Sequence, residues 1–141
     1  MYHPTSFHIS HVHCEHLAKI AWDTFGSLFA RPGGNGTAMS PYKETIELFH
    51  HELRDVLGDC WQRASVVSLQ PSAQIVAHVD EGLTGTRYHL PLQTNEGCWS
   101  FSEGIWSQLE VGSIYRMDPT KPHGAVNWGE TTRLHLMIDV L

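Results

Sequence analysis

Apolar residues recur with a helical period in the first third of the chain, then switch to a two-residue period after Trp61. Between Ser10 or His11 and Phe29, the residues Leu17, Ile20, Ala21, Phe25, Leu28 and Phe29 fall on one face of an amphipathic helix. Arg31-Pro32-Gly33-Gly34-Asn35-Gly36 ends that helix in a loop. Ser40-Pro41-Tyr42-Lys43-Glu44 signals a second start, with a capping Ser, Pro at the first helical position and an acid in the first turn. Ile46, Phe49, His50, Leu53 and Leu57 form its core-facing stripe, and Gly58 closes it.

Beyond Trp61 the pattern predicts short strands over 62–70, 73–80, 86–94, 97–101, 106–111, 113–118, 123–128 and 131–140. Pro71-Ser72, Glu81-Gly82, Asn95-Glu96-Gly97, Val111-Gly112 and Trp128-Gly129-Glu130 break them. Regular turns between many short strands predict a mainly β double-sheet barrel or sandwich, with the two helices packed outside one sheet. At 141 residues the chain reads as one domain, helical over 1–60 and β-rich over 61–141.

The charge balance adds exclusions. Nine basic residues stand against 15 acidic ones without a Lys or Arg run, which argues against nucleic acid and anionic membrane surfaces as partners. No apolar stretch approaches a membrane span, and Met1-Tyr2-His3-Pro4 lacks the blocks of a signal peptide. Cys14, Cys60 and Cys98 are widely spaced and fit no zinc pattern, so a reduced, cytoplasmic setting is expected.

The chemistry is concentrated between His78 and Arg133. In His78-Val79-Asp80, residues two apart on a strand present an imidazole and a carboxylate on one face. His123, from a distant strand, would complete a 2-His-1-carboxylate face that leaves open positions on a non-haem Fe(II). Arg133 offers a guanidinium suited to holding a carboxylate in two-pronged fashion. The alternation of Leu134, Leu136 and Ile138 around His135 places Arg133 and His135 on the same face, toward the site. Asn127 or Asp118 is expected to orient the ligating rings.

Ser68-Leu69-Gln70-Pro71, His78-Val79-Asp80, Arg87-Tyr88-His89-Leu90-Pro91-Leu92, Thr94-Asn95, His123-Gly124-Ala125-Val126-Asn127 and Arg133-Leu134-His135-Leu136 together resemble the Fe(II)/2-oxoglutarate-dependent oxygenases. Among these, the segment 62–140 is similar to the aspartyl/asparaginyl β-hydroxylase family, which includes free-proline hydroxylases. The resemblance implies a double-stranded β-helix (jelly-roll, cupin-like) with His78, Asp80 and His123 as iron ligands. It further implies Arg133 on the distal carboxylate of 2-oxoglutarate, with His89 and Ser68 also contacting that co-substrate. Fe(II), 2-oxoglutarate and O2 would then hydroxylate an unactivated C–H.

For the substrate, a small amino-acid-like or carboxylate molecule is expected in preference to a folded protein. Asp80 is retained, as in the free-amino-acid hydroxylases, and no appended recognition domain is visible. Arg87 is the expected partner of a substrate carboxylate, a structural ion pair being the other reading. A peptidyl Asp or Asn substrate, a keto-acid-independent dioxygenase and a non-catalytic cupin-like module are the alternatives. Trp99, Trp106, Tyr115 and Trp128 read as packing residues rather than pocket lining. His11, His13, Cys14 and His16 cluster at a helix start without the spacing of a closed zinc site.

Overall fold

The computed structural model describes residues 1–81 and 86–140. Its elements run β1 (His3–His8), α1 (His11–Ala30), β2 (Thr37–Met39), α2 (Tyr42–Leu57), β3 (Trp61–Leu69), β4 (Gln74–His78), β5 (Thr86–Gln93), β6 (Cys98–Ser102), β7 (Ile105–Ser107), β8 (Ser113–Met117), β9 (His123–Asn127) and β10 (Arg133–Val140). The strands form two antiparallel sheets, one ordered β1-β8-β5-β10-β3-β2 and the other β4-β9-β6-β7. This is the expected double-sheet β-helix. Each expected segment after Trp61 contains a strand, though 106–111 shortens to β7 because the chain turns at Val111-Gly112. Gly82, assigned to a turn, lies outside the described residues. No described helix is long and apolar enough to cross a membrane.

Local chemistry sets the helix ends. Ser10 caps α1, its hydroxyl accepting the His13 N–H at 3.1 Å. At α2 the expected roles shift by one residue: Pro41 occupies the cap, and Ser40 makes no cap bond. The Ser40 hydroxyl instead accepts the Val66 N–H at 2.7 Å and pairs with the Thr45 hydroxyl at 2.6 Å, tying the helix start to β3. Gly58 ends α2 at φ +79°, a conformation that costs glycine nothing, and its N–H bonds the Arg54 carbonyl.

Two strands escape the periodicity argument. β1 is almost wholly exposed and contains Pro4, so it carries no alternating apolar signal, yet it edges the large sheet beside β8. β2 spans three residues and covers the opposite edge beside β3. The N-terminal third therefore contributes both edges of the sheet as well as the helices.

The hydrophobic core lies between the helices and the large sheet. Leu17, Ala21, Phe25 and Phe29 of α1 and Phe49, Leu53 and Leu57 of α2 meet Ala64, Val66, Leu90, Leu92, Leu134, Leu136 and Ile138. Burying each larger aliphatic side chain contributes about 1.5–3 kcal/mol. The alternate residues of the same strands face the second sheet, and there Arg63, Arg87, His89 and Arg133 stand among the apolar Val67 and Met137.

A bulge in β4 determines which residue meets β9. Ile75 pairs with Ala125, so regular antiparallel counting would set residue 77 against His123, but His78 takes that place. One extra residue between the two pairs turns His78 inward. Gly124 makes room for the bulge: a Cβ there would lie 2.5 Å from the Ile75 carbonyl oxygen and 3.2 Å from the Ala77 nitrogen. Gly124→Ala should therefore cost about 1–3 kcal/mol in chemical denaturation and accelerate hydrogen exchange in β4. Wild-type stability with unchanged β4 exchange would contradict the close approach.

Candidate metal centre and its cavity

Three expected ligands converge at one end of the space between the sheets. His78 ends β4, His123 opens β9, and their ring centroids are 4.3 Å apart. Asp80 follows β4 rather than continuing it, so the strand alternation expected for His78 and Asp80 does not place it. Its N–H donates to the Pro119 carbonyl, and its carboxylate approaches His78 Nε2 at 3.5 Å and His123 Nε2 at 3.3 Å. One potential donor atom from each of the three lies within 4.8 Å of the others. His78 Nδ1 faces the Val76 carbonyl and His123 Nδ1 faces the Lys121 carbonyl, each at 2.8 Å. An Nδ1–H donated to each carbonyl leaves the Nε2 lone pairs turned toward Asp80, the tautomer a metal requires.

Those carbonyls do the orienting work expected of Asn127 or Asp118. Asn127 donates to the Leu69 and Thr131 carbonyls instead, and Asp118 accepts from Thr120. Burial pushes the His123 pKa below the ordinary imidazole value, favouring the neutral ring.

Arg87 is committed within the protein. It is buried, grips Asp139 through Nε at 2.7 Å and Nη2 at 3.1 Å, and reaches Asp80 Oδ2 through Nη1 at 2.6 Å. Partial burial would raise the Asp80 carboxyl, but hydrogen bonding and charge from Arg87 outweigh it and hold the pKa below the usual range. These partners match the structural ion pair of the sequence reading rather than a guanidinium waiting for a substrate carboxylate.

Arg133 differs. It is 3% exposed, its Nε has no hydrogen-bond partner, and no carboxylate pairs with it among the described residues. It lines the cavity of about 780 Å³ that also contains His78, Asp80, His123 and His89. His89 points into that cavity, while its Nδ1 lies 3.2 Å from His135 Nδ1. His135 thus sits behind His89 and reaches the cavity only through it.

Ser68 lies elsewhere. Alternation on β3 sends Ser68 to the face that carries Ala64 and Val66, where its hydroxyl is fully buried 3.5 Å from the Ala38 carbonyl. Val67 is the β3 residue lining the cavity at that level. Ser68, expected to contact the co-substrate, therefore does not line the cavity.

Tyr2 also lines the cavity, packed edge-on against His89 with ring centroids 5.4 Å apart. Nothing in the first residues signals this, because a lone aromatic outside any periodic segment has no pattern. Met39, Tyr42 and Met137 line it as well. The tryptophans do not: Trp106 and Trp128 are exposed, contrary to the packing expectation, although Trp106 touches Phe101 on the outer face of the small sheet. The N-terminal cluster disperses, with Cys14 in the core and His13 bonded to Glu52 of α2 at 2.8 Å.

Burial pushes both His89 and His135 well below the ordinary value of 6.5, so both are neutral in the folded protein. As pH falls through that value, the unfolded chain gains protons that the folded chain refuses. Stability should therefore be full above pH ~6.5 and decline below it, by up to about 1.4 kcal/mol per pH unit for each group. In denaturant titrations of the metal-free protein, His89→Phe/His135→Leu should flatten that decline. An identical pH slope would contradict buried neutral rings.

The comparisons with known proteins follow the same geometry. The chain is 39% identical over 94 residues to L-proline cis-4-hydroxylase of Rhizobium meliloti (strain 1021), covering 63% of this chain. It spans about a third of that protein's length, 34%. The fold is shared with viral collagen prolyl hydroxylase vCPH from Paramecium Bursaria Chlorella virus-1, solved as a 2OG complex. That match has a TM-score of 0.70 at 14% identity and covers 99% of this chain and 94% of the other. The non-heme monooxygenase ThoJ, solved as a Ni complex, matches with a TM-score of 0.65 at 15% identity over 94% and 70% of the two chains. The family model described as aspartyl/asparaginyl beta-hydroxylase matches residues 3–141, a span that includes both helices, both sheets and every residue of the converging triad. The chain belongs to the aspartyl/asparaginyl beta-hydroxylase family.

Proposed function

We propose that this chain is the oxygenase domain of an Fe(II)/2-oxoglutarate-dependent hydroxylase acting on a small amino-acid-like substrate. The observation that carries the reading is Arg133. A buried guanidinium with no countercharge is costly to keep, and here it opens onto the same cavity as two imidazoles and a carboxylate. A dicarboxylate bridging the two features satisfies both. The 39% identity to an enzyme named L-proline cis-4-hydroxylase supports the substrate class.

The donor set fits Fe(II). Two imidazoles and one carboxylate, with donor atoms within 4.8 Å of one another, are a donor set that would hold Fe(II) with three protein ligands and leave positions for co-substrate and O2. When bound, the metal supplies the oxidation: 2-oxoglutarate and O2 become succinate and CO2, with one oxygen atom delivered to the substrate C–H. Everything else is the protein's task. His78, Asp80 and His123 would hold the metal, with the Val76 and Lys121 carbonyls fixing the rings. Arg87, anchored by Asp139, holds the Asp80 carboxylate in place and keeps it ionised. Arg133 would take the distal carboxylate of 2-oxoglutarate, with His89 beside it. Val67 and Met137 add apolar wall.

Oxygen uptake by the Fe(II)-loaded protein should require 2-oxoglutarate and yield succinate. His123→Ala should abolish that uptake and weaken Fe(II) binding without unfolding the protein. Full metal affinity and turnover in this variant would refute the ligand set. Arg133→Gln should raise the 2-oxoglutarate requirement roughly thirty- to several-thousand-fold, since losing one partner of a buried charge pair costs about 2–5 kcal/mol. Arg133→Lys should recover part of it, a point charge lacking the two-pronged geometry. Unchanged co-substrate affinity in Arg133→Gln would remove Arg133 from the site.

A further inference from the structure

With Arg87 committed to two carboxylates, the cavity needs another cation if its substrate carries a carboxylate. Arg63 meets that need. It projects from β3 on the inward-facing side of the sheet, lines the cavity, and is half-buried. Its guanidinium carbon sits 5.9 Å from the centroid of the Tyr42 ring. No carboxylate pairs with it among the described residues.

The sheet register explains why it is spare. Asp139 of β10 lies between Arg63 of β3 and Arg87 of β5, paired with both across the ladder. One carboxylate faces two guanidiniums, and Arg87 takes both of its oxygens. Arg63 is left over the Tyr42 ring, within cation–π reach.

Register also gives the distance from Arg133. On β3, the partner of Arg133 is Leu69 and the partner of Asp139 is Arg63. Six residues separate those rungs, roughly 20 Å of strand. The backbone positions of Arg133 and Arg63, which pair with no carboxylate among the described residues, therefore lie at opposite ends of the inward face, Arg133 buried and Arg63 half-buried. The candidate metal triad lies on the facing sheet, where Asp80 contacts Arg87, and shares the cavity with both Arg63 and Arg133.

We propose that Arg63, backed by Tyr42, binds the carboxylate of the amino-acid substrate. The proposal rests on the reading of the cavity as a 2-oxoglutarate oxygenase site. One unpaired guanidinium matches the single charge of a carboxylate, and the planar N–H edge matches its two oxygens. Val67 and Met137, between the two cations, provide apolar surface for the substrate's carbon skeleton.

The test is anaerobic calorimetry on the protein loaded with Mn(II) and saturated with 2-oxoglutarate. The ligands are a panel of free L-amino acids and the C-terminal amides of those that bind. At least one free acid should bind, and its amide should bind at least ~10-fold more weakly. In Arg63→Gln that gap should shrink to within ~3-fold, and Arg63→Lys should retain part of it. The ratio of amide to acid affinity within one variant cancels general damage from the substitution. Equal binding of acid and amide by the wild type, an unchanged gap in Arg63→Gln, or binding of peptides with no free amino acid would each overturn the subsite. Those failures leave 2-oxoglutarate binding in place. Loss of 2-oxoglutarate binding by the wild type itself would overturn the oxygenase reading and the subsite with it.

Discussion

A one-residue slip of β10 would exchange Leu134, Leu136 and Ile138 beneath the helices for Arg133, His135 and Asp139. Three polar groups would enter the hydrophobic core, and the cavity would lose its guanidinium. The period of two makes such a slip all-or-none. Hydrogen bonding to β3 on one side and β5 on the other holds the register over the whole strand. Fold and site thus depend on the same constraint: the aliphatic residues that secure the helices determine which way Arg133, Met137 and Asp139 point.

Charge balance inside the cavity follows from that placement. Asp80, Asp139 and Glu81 stand against Arg63, Arg87 and Arg133 in and behind the cavity, while burial keeps His89 and His135 neutral. The distribution is uneven, however. Asp80 and Asp139 crowd around Arg87, and Arg133 is left alone at the far end. On the proposed reading, a divalent cation beside Asp80 and a dianion reaching Arg133 would add charges that cancel each other while correcting the imbalance at both ends. An arrangement costly when empty would become favourable with both bound, and binding of the two would then be coupled.

Much of this was legible in the sequence, for identifiable reasons. The candidate donor types, their order and the helical and strand periods are written in residue identity and spacing, and the Leu134–Leu136–Ile138 alternation correctly places Arg133 on the cavity side. The bulge was not legible: it alters the parity of β4, and only the cross-strand partner His123 reveals it. Ser68 and Val67 are neighbours whose facing depends on the same sort of one-residue parity. Arg87 illustrates a different limit, since its partner Asp139 lies 52 residues away and only the sheet brings them together. Tyr2 and β1 carry no periodic signal at all, and their place at the cavity and the sheet edge is set by tertiary packing.

The most direct test of a shared metal and co-substrate cavity is the affinity of 2-oxoglutarate measured by calorimetry with and without Mn(II). A keto acid that reaches Arg133 at one end and the metal at the other should bind with one-to-one stoichiometry and at least ~10-fold more tightly when the metal is present, with metal affinity rising by the same factor. Equal affinity in the two states would contradict the account, because it would separate the carboxylate partner of Arg133 from the metal held by His78, Asp80 and His123.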